Sequence, residues 1–224
     1  MKRTIAILLL ATLIFTLTAC SDVAVGSTDS ESVLQPVTEQ DAAIAPTVIT
    51  VDYDSEDLDS SATSSDTAYI KLEGDTITVD GNGATVDGTI VTITAAGTYD
   101  VSGTLNNGQI VVNAADSDKV VLILDGADIT YATSAPIYVK SADKVVITLA
   151  EGTENSVTDG TAYVFTDAES DEPNAAIFSK DDLTINGEGS LTVNANYNNG
   201  IVSKDDLKIT GGTVTVNAVN DGIK

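Results

Sequence analysis

Residues 175–185 read AAIFSKDDLTI, and residues 199–209 read NGIVSKDDLKI. The two copies set Ile177 and Ile201 about 24 residues apart, and Ile223 follows another Asp-Gly pair after a similar interval. A period of this size marks a repeat architecture, in which a unit too short to close its own core buries its apolar face against its neighbours. The text recurs further upstream. DSDKVVLIL (116–124) aligns with SADKVVITL (141–149), and APIYVKSADKVVI (135–147) aligns with AAIFSKDDLTI once two extra residues are allowed before Val145. The longer gap between Ile137 and Ile177 is accounted for by an insertion around GTAYVFTDAESDEPN.

From Ala68 onward β-branched and polar residues alternate between Gly, Asn and Asp punctuation, which is strand–turn–strand writing. In one unit Ile201, Leu207, Ile209, Val214, Val216 and Ala218 share the parity of a buried face, and Lys204, Lys208, Thr213 and Thr215 share the other. Stacking such units would give every strand a parallel partner at about 4.8 Å. The expectation is an all-β chain forming a right-handed parallel β-helix. It has an N-terminal portion over 68–110 and repeat coils over 110–224. A β-sandwich does not require near-identical text at identical parity, and a propeller blade runs to about 40 residues or more. The text stops at Lys224 just after a new unit opens, so the C-terminal end is expected to be a truncation.

The first nineteen residues read as a signal peptide. A basic start (Lys2, Arg3) is followed by an apolar run from Ile5 to about Leu17, shorter than the roughly 20 residues of a spanning helix. Leu17-Thr18-Ala19-Cys20 resembles the lipobox of bacterial lipoproteins. That resemblance implies a lipid on Cys20 and display on the outer face of the bacterial cell membrane. Residues 20–67 are dominated by Ser, Thr, Asp and Glu without hydrophobic period and are expected to form a disordered acidic tether.

The chain carries 34 acidic and 10 basic residues, for a net charge of −24. Such a surface repels nucleic acid. The absence of His removes imidazole bases and ordinary zinc sites. The only Arg lies at position 3, so no bidentate phosphate or carboxylate clamp is available to the domain.

NGQIVV (107–112), APIYVKSADKVVITLAEGTENSVTDG (135–160), DEPNAAIFSKDDLTINGEGSLTVN (171–194) and NGIVSKDDLKITGGTVTVNAVNDGIK (199–224) resemble a family of bacterial carbohydrate-binding β-helix lipoproteins. The resemblance covers roughly residues 70–224. It implies a polysaccharide-lyase-like fold, calcium, and non-catalytic binding of cellulose and of acidic plant polysaccharide such as pectin.

The repeat nominates its own site residues. Stacking places Asp181 near Asp205 and Asp182 near Asp206. Two such carboxylates repel by roughly 1 kcal/mol in water, and Ca²⁺, which takes six to eight oxygens in loose geometry, would turn that repulsion into binding. The alternative is a solvated turn offset by Lys180 and Lys204. Asn199 over Asp221 forms a second column, which is either a further set of metal ligands or a structural amide ladder. Tyr138 and Phe178 occupy equivalent positions. They offer a stacking platform for a sugar ring, or else they lie beneath the 161–175 insertion. With Lys180 and Lys204 they are the candidate glycan contacts. The preferred function is calcium-assisted binding of polygalacturonate-like or cellulose-like polysaccharide without catalysis. The alternatives are a lyase or hydrolase on the same fold, or a surface adhesion or structural protein.

Overall fold

The computed structural model describes residues 50–61, 66–165, 167 and 170–224. The signal segment, Cys20 and most of the expected tether lie outside the described residues. Among those described, no helix is long and apolar enough to cross a membrane. One helical turn, α1 (Ser55–Leu58), is followed by β1 (Ala68–Gly74), β2 (Ile77–Asp80), β3 (Ala84–Asp87), β4 (Ile90–Ile93) and β5 (Gly97–Leu105). Then come β6 (Gln109–Asn113), β7 (Lys119–Tyr131), β8 (Ile137–Ser141), β9 (Lys144–Leu149) and β10 (Glu154–Asp159). After the insertion the chain forms β11 (Ala175–Ser179), β12 (Asp182–Gly187), β13 (Ser190–Ala195), β14 (Asn199–Ser203), β15 (Leu207–Ile209) and β16 (Thr213–Ala218).

The all-β expectation holds, but the right-handed parallel β-helix does not. The strands form two mixed sheets, one of ten strands and one of six, mostly parallel. Two features depart from a simple solenoid. The N-terminal portion pairs antiparallel, β1 with β2 and β3 with β4. In addition, β7 runs for 13 residues without a break. Its first half pairs with β9 and its second half with β10, joining into one sheet what the repeat would have kept as separate faces.

The register follows the repeat. Val91, Ile110, Ile137, Ile177 and Ile201 lie opposite one another in successive strands, and Ile201 bridges to Ile223. A second column runs Leu122, Ile147, Ile185, Ile209, and a third runs Ile129, Val157, Val193, Val216. These columns fill one core in which most members are fully buried. Burial falls off at β15 and β16, which end the path of the larger sheet; there Ile209 is exposed, and Val214 and Val216 are only partly covered.

Close stacking makes particular glycines irreplaceable. Gly187 ends β12 with φ +101°, and a Cβ there would stand 2.2 Å from the Leu149 carbonyl oxygen of the strand beneath. Gly187→Ala is expected to cost about 1–3 kcal/mol through backbone strain alone, read as a lower urea midpoint at unchanged m.

The strand β9 is buried along its whole length instead of alternating. Its inward residues Val145, Ile147 and Leu149 enter the core, while its outward residues Lys144, Val146 and Thr148 are covered as well. Lys144 is covered by α1 and the Asp54 before it, from the acidic segment that the sequence marks as tether. Asp57 is its buried side chain, with no exposed surface. The Asp57 carboxylate accepts hydrogen bonds from Lys144 (3.0 Å), Lys208 (3.0 Å) and Thr184 (2.6 Å). Burial alone would raise its pKa, but the bonds from Thr184, Lys144, the Asp54 N–H and Lys208 outweigh that and hold it well below the usual carboxylate range.

Candidate functional site

The insertion between β10 and β11 folds back over the six-stranded sheet and creates a cleft. Its anchor is Asp159, the last residue of β10, which is 2% exposed. The Asp159 carboxylate accepts hydrogen bonds from the Tyr163 hydroxyl (2.7 Å), from the Tyr197 N–H (3.3 Å) and from the Asn196 N–H. Tyr163 stacks on Tyr197 with centroids 4.2 Å apart and rings 15° from parallel. Burial, then the hydrogen bond and charge of Asp159, push the Tyr163 phenol far up in pKa, so it serves as a fixed donor.

Between this anchored insertion and the sheet lies a cavity of about 440 Å³. Tyr138 and Lys140 rise from alternate positions of β8, Gln109 opens β6, Tyr131 closes β7, and Phe165 and Glu172 face them from the insertion. The Lys140 ammonium sits 5.4 Å from the Tyr138 ring centroid. Gln109 is fixed by donating to the Ala135 carbonyl (2.7 Å). The cleft therefore presents three aromatic rings, one ammonium, the carboxylates of Asp167 and Glu172 and an amide to one space, a mixture suited to an apolar-faced, hydroxyl-rich ligand.

Of the two aromatic candidates, Tyr138 lines this cleft and Phe178 does not. Phe178 is fully buried with Ala135, Ala175 and Val202 in a small apolar cluster outside the main core. It meets Tyr138 edge-on at 5.8 Å and 72°, so it supports the platform from below. Lys180 and Lys204 both reach Glu172, at 3.8 and 2.7 Å. They buttress the insertion from the outside and do not line the cleft. Gln109, Tyr131, Lys140 and Glu172 escape a sequence reading because they come from four segments. The one visible signal is the position of Lys140, two residues after Tyr138, which puts both side chains on one face of a strand.

The carboxylate corner is real as a juxtaposition. Asp181 Oδ2 accepts from the Ala142 N–H (3.1 Å), and Asp182 Oδ1 accepts from the Asp206 N–H (3.2 Å). Burial raises the Asp181 pKa, and the charges of Asp116, Asp205 and Asp182 add to it while the Ala142 bond opposes. Among the described residues no three acidic side chains converge into a metal cage. Asn199 is buried and fully engaged. It donates to the Asn174 carbonyl (3.2 Å) and accepts from Asn220 (2.9 Å) and the Asp221 N–H (3.2 Å), which is a structural ladder. Asp221 pairs with Lys224 at 3.7 Å.

Residues 87–224 match the model of a family described as carbohydrate-binding domain-containing proteins. The chain belongs to that family. A carbohydrate-binding domain-containing protein of Acetivibrio thermocellus is 56% identical over 128 residues, which make up 57% of this chain and 45% of the relative. A solved structure, the polysaccharide lyase-like protein from C. thermocellum in a gadolinium derivative, superposes with a TM-score of 0.65 at 48% identity. That match covers 67% of this chain and 62% of the neighbour. The chain thus spans less than two thirds of the length of either of these relatives.

Proposed function

We propose that the domain is a non-catalytic polysaccharide-binding module that takes a plant-type glycan, either the acidic polygalacturonate or a neutral cellulose-like chain, in the cleft over Tyr138. The observation that carries the reading is the pairing of Tyr138 with Lys140 on one wall of an open cavity of about 440 Å³. A sugar ring lays its C–H face on the phenol ring, the ammonium meets a uronate carboxylate, and Glu172 and Gln109 accept from or donate to hydroxyls. Family membership and a polysaccharide lyase-like neighbour support a carbohydrate ligand. The residue chemistry argues against turnover. The sequence has no His. Glu56, Asp57 and Glu172 hold Lys119, Lys208 and Lys204 above the ordinary amine range, making them poor general bases at neutral pH.

Calcium belongs to the same proposal. Burial, and with it the charges of Asp116, Asp205 and Asp182, raises the cost of ionising Asp181, and this corner fits a cation bridging Asp181 and Asp205 whose remaining oxygens come from water and from the glycan. We place the module outside the cell, held by a lipid on Cys20, on the strength of the lipobox-like text.

Titration of polygalacturonate and cellulose, with and without chelator and with chain length followed, tests the reading. Retention without shortening is expected, weakened by chelator. Tyr138→Ala should lower affinity about 3- to 10-fold, the loss of roughly 0.5–1.5 kcal/mol of ring contact, with a smaller loss of stability than Phe178→Ala because Tyr138 only partly covers the Phe178 cluster. Shortening of the polymer would overturn the non-catalytic reading, and no retention would overturn glycan binding.

A further inference from the structure

The outward face of the larger sheet carries a row of groups built to hold carboxylates. Lys119 of β7 lies opposite Lys144 of β9, and Thr184 of β12 lies opposite Lys208, the next residue along β15 after Leu207. Asn186 and Thr210 continue the same face. Three ammonium groups, two hydroxyls and an amide are thus presented side by side in a domain whose net charge is otherwise strongly negative.

All of these groups are engaged by one short piece of chain. Glu56 pairs with Lys119 (2.8 Å), Asp54 and Asp57 both pair with Lys144 (2.6 and 3.0 Å), and Asp57 also pairs with Lys208 (3.0 Å). Asn186 donates to the Glu56 and Asp59 carbonyls (3.3 and 3.0 Å), and Thr210 donates to the Asp57 carbonyl. No apolar side chain anchors the turn. Asp57 is its buried residue, while Leu58 is 63% exposed. It is held almost wholly by oxygen atoms meeting N–H and O–H donors. The exposed Glu56–Lys119 pair is screened by salt and the buried Asp57–Lys144 pair is screened little, but every one of these contacts is polar and can be matched by another carboxylate.

We propose that this lysine face is a second acidic-polysaccharide site, and that the turn Asp54–Asp59 occupies it as a built-in competitor. A polyuronate presents one carboxylate per ring along an extended chain, the ligand chemistry that Asp54, Glu56 and Asp57 supply in miniature. Release of the turn exposes Lys119, Lys144 and Lys208 together, and the covered segment then lengthens the chain leading to the domain. The ligand class rests on the glycan-binding reading above, whereas the occupied lysine face does not.

The test compares the wild-type chain with D54N/E56Q/D57N, and with D125N/E151Q/E154Q, which makes the same charge change at exposed positions elsewhere. Polygalacturonate affinity is measured at low salt, and backbone hydrogen exchange of residues 54–59 is followed in the wild-type chain on addition of polygalacturonate or a neutral cello-oligosaccharide. The turn variant should bind at least about tenfold tighter than both others, and polygalacturonate alone should speed exchange in the turn. E56Q, which alters only an exposed pair, should give a smaller gain in the same direction and keeps the test open if the triple variant misfolds. Equal affinity of the turn variant and the charge control, with exchange unchanged, overturns the proposal and leaves the cleft reading standing. Tight binding by the turn variant that is insensitive to Tyr138→Ala upholds the proposal and removes the cleft. Failure of every variant to bind polygalacturonate overturns both.

Discussion

Phe178→Ala is expected to lower the unfolding free energy by about 3–5 kcal/mol, the largest single-residue loss outside the main core. Phe178 has no exposed surface and is the largest member of a small cluster with Ala135, Ala175 and Val202, partly closed by Tyr138 and Tyr163. Alanines on either side cannot expand into the space, so the cavity persists instead of collapsing. The functional consequence separates support from contact. Tyr138 loses the edge on which it rests at 5.8 Å, so polygalacturonate affinity falls together with stability. In Tyr138→Ala the affinity falls with a much smaller loss of stability, because Tyr138 covers the cluster only in part. Urea unfolding and glycan titration on the two variants check this. Equal stability of Phe178→Ala and wild type would show that the cluster is not a packed unit.

Asp159→Ala should also be costly, at about 2–3 kcal/mol, because it leaves the Asn196 and Tyr197 N–H groups without their acceptor. Both bonds are only part-buried, so each stranded donor costs toward the low end of the roughly 1–3 kcal/mol of a buried one. The Tyr163 hydroxyl retains the Ala175 carbonyl at 3.1 Å, which limits the total. The insertion loosens, and with it the wall of the cleft that carries Phe165 and Glu172. Asp159→Asn keeps an acceptor oxygen for the backbone and should lose far less. The pair also carries a pH signature. Burial lifts the Asp159 pKa above its ordinary 3.8, and the bonds from Tyr163, Asn196 and Tyr197 pull back without cancelling the rise. A raised folded value means that the stability contributed by this group is complete below 3.8 and is lost as pH climbs through the folded value. Wild-type stability measured relative to Asp159→Asn should therefore decline as pH rises from about 4. A difference independent of pH would show that the carboxyl is not buried as described.

How much of this was legible varies residue by residue. The isoleucine column was legible because parity along a strand is local: Ile177 and Ile201 follow the same spacing from the same SKDDL corner. Asn199 could be placed, but its choice between metal ligand and amide ladder depended on Asn174 and Asn220, which only packing brings to it. Tyr138 and Phe178 share a register position that the sequence left open between a sugar platform and cover by the insertion. Phe178 is buried with Tyr163 of the insertion packed on its cluster, and Tyr138 lines the cleft. Lys180 and Lys204 read as ligand-facing, yet both are held by Glu172 from a segment without repeat character.

Period, all-β class and the inward set of the middle strands are already written in the residues, because alternation and repeat length act between near neighbours and between identical units; at β15 and β16 the inward set is only partly covered, and Ile209 is exposed. The tertiary structure alone decided that β7 would run through 13 residues and join two faces into one sheet. It alone decided that Asp57, in text indistinguishable from a solvated spacer, would be buried against Lys144 across 87 positions. A charge in an acidic, structureless-looking stretch has no local pattern to announce it. Its partners are set by which lysines the stacked strands happen to align, and that alignment exists only once the sheet has formed.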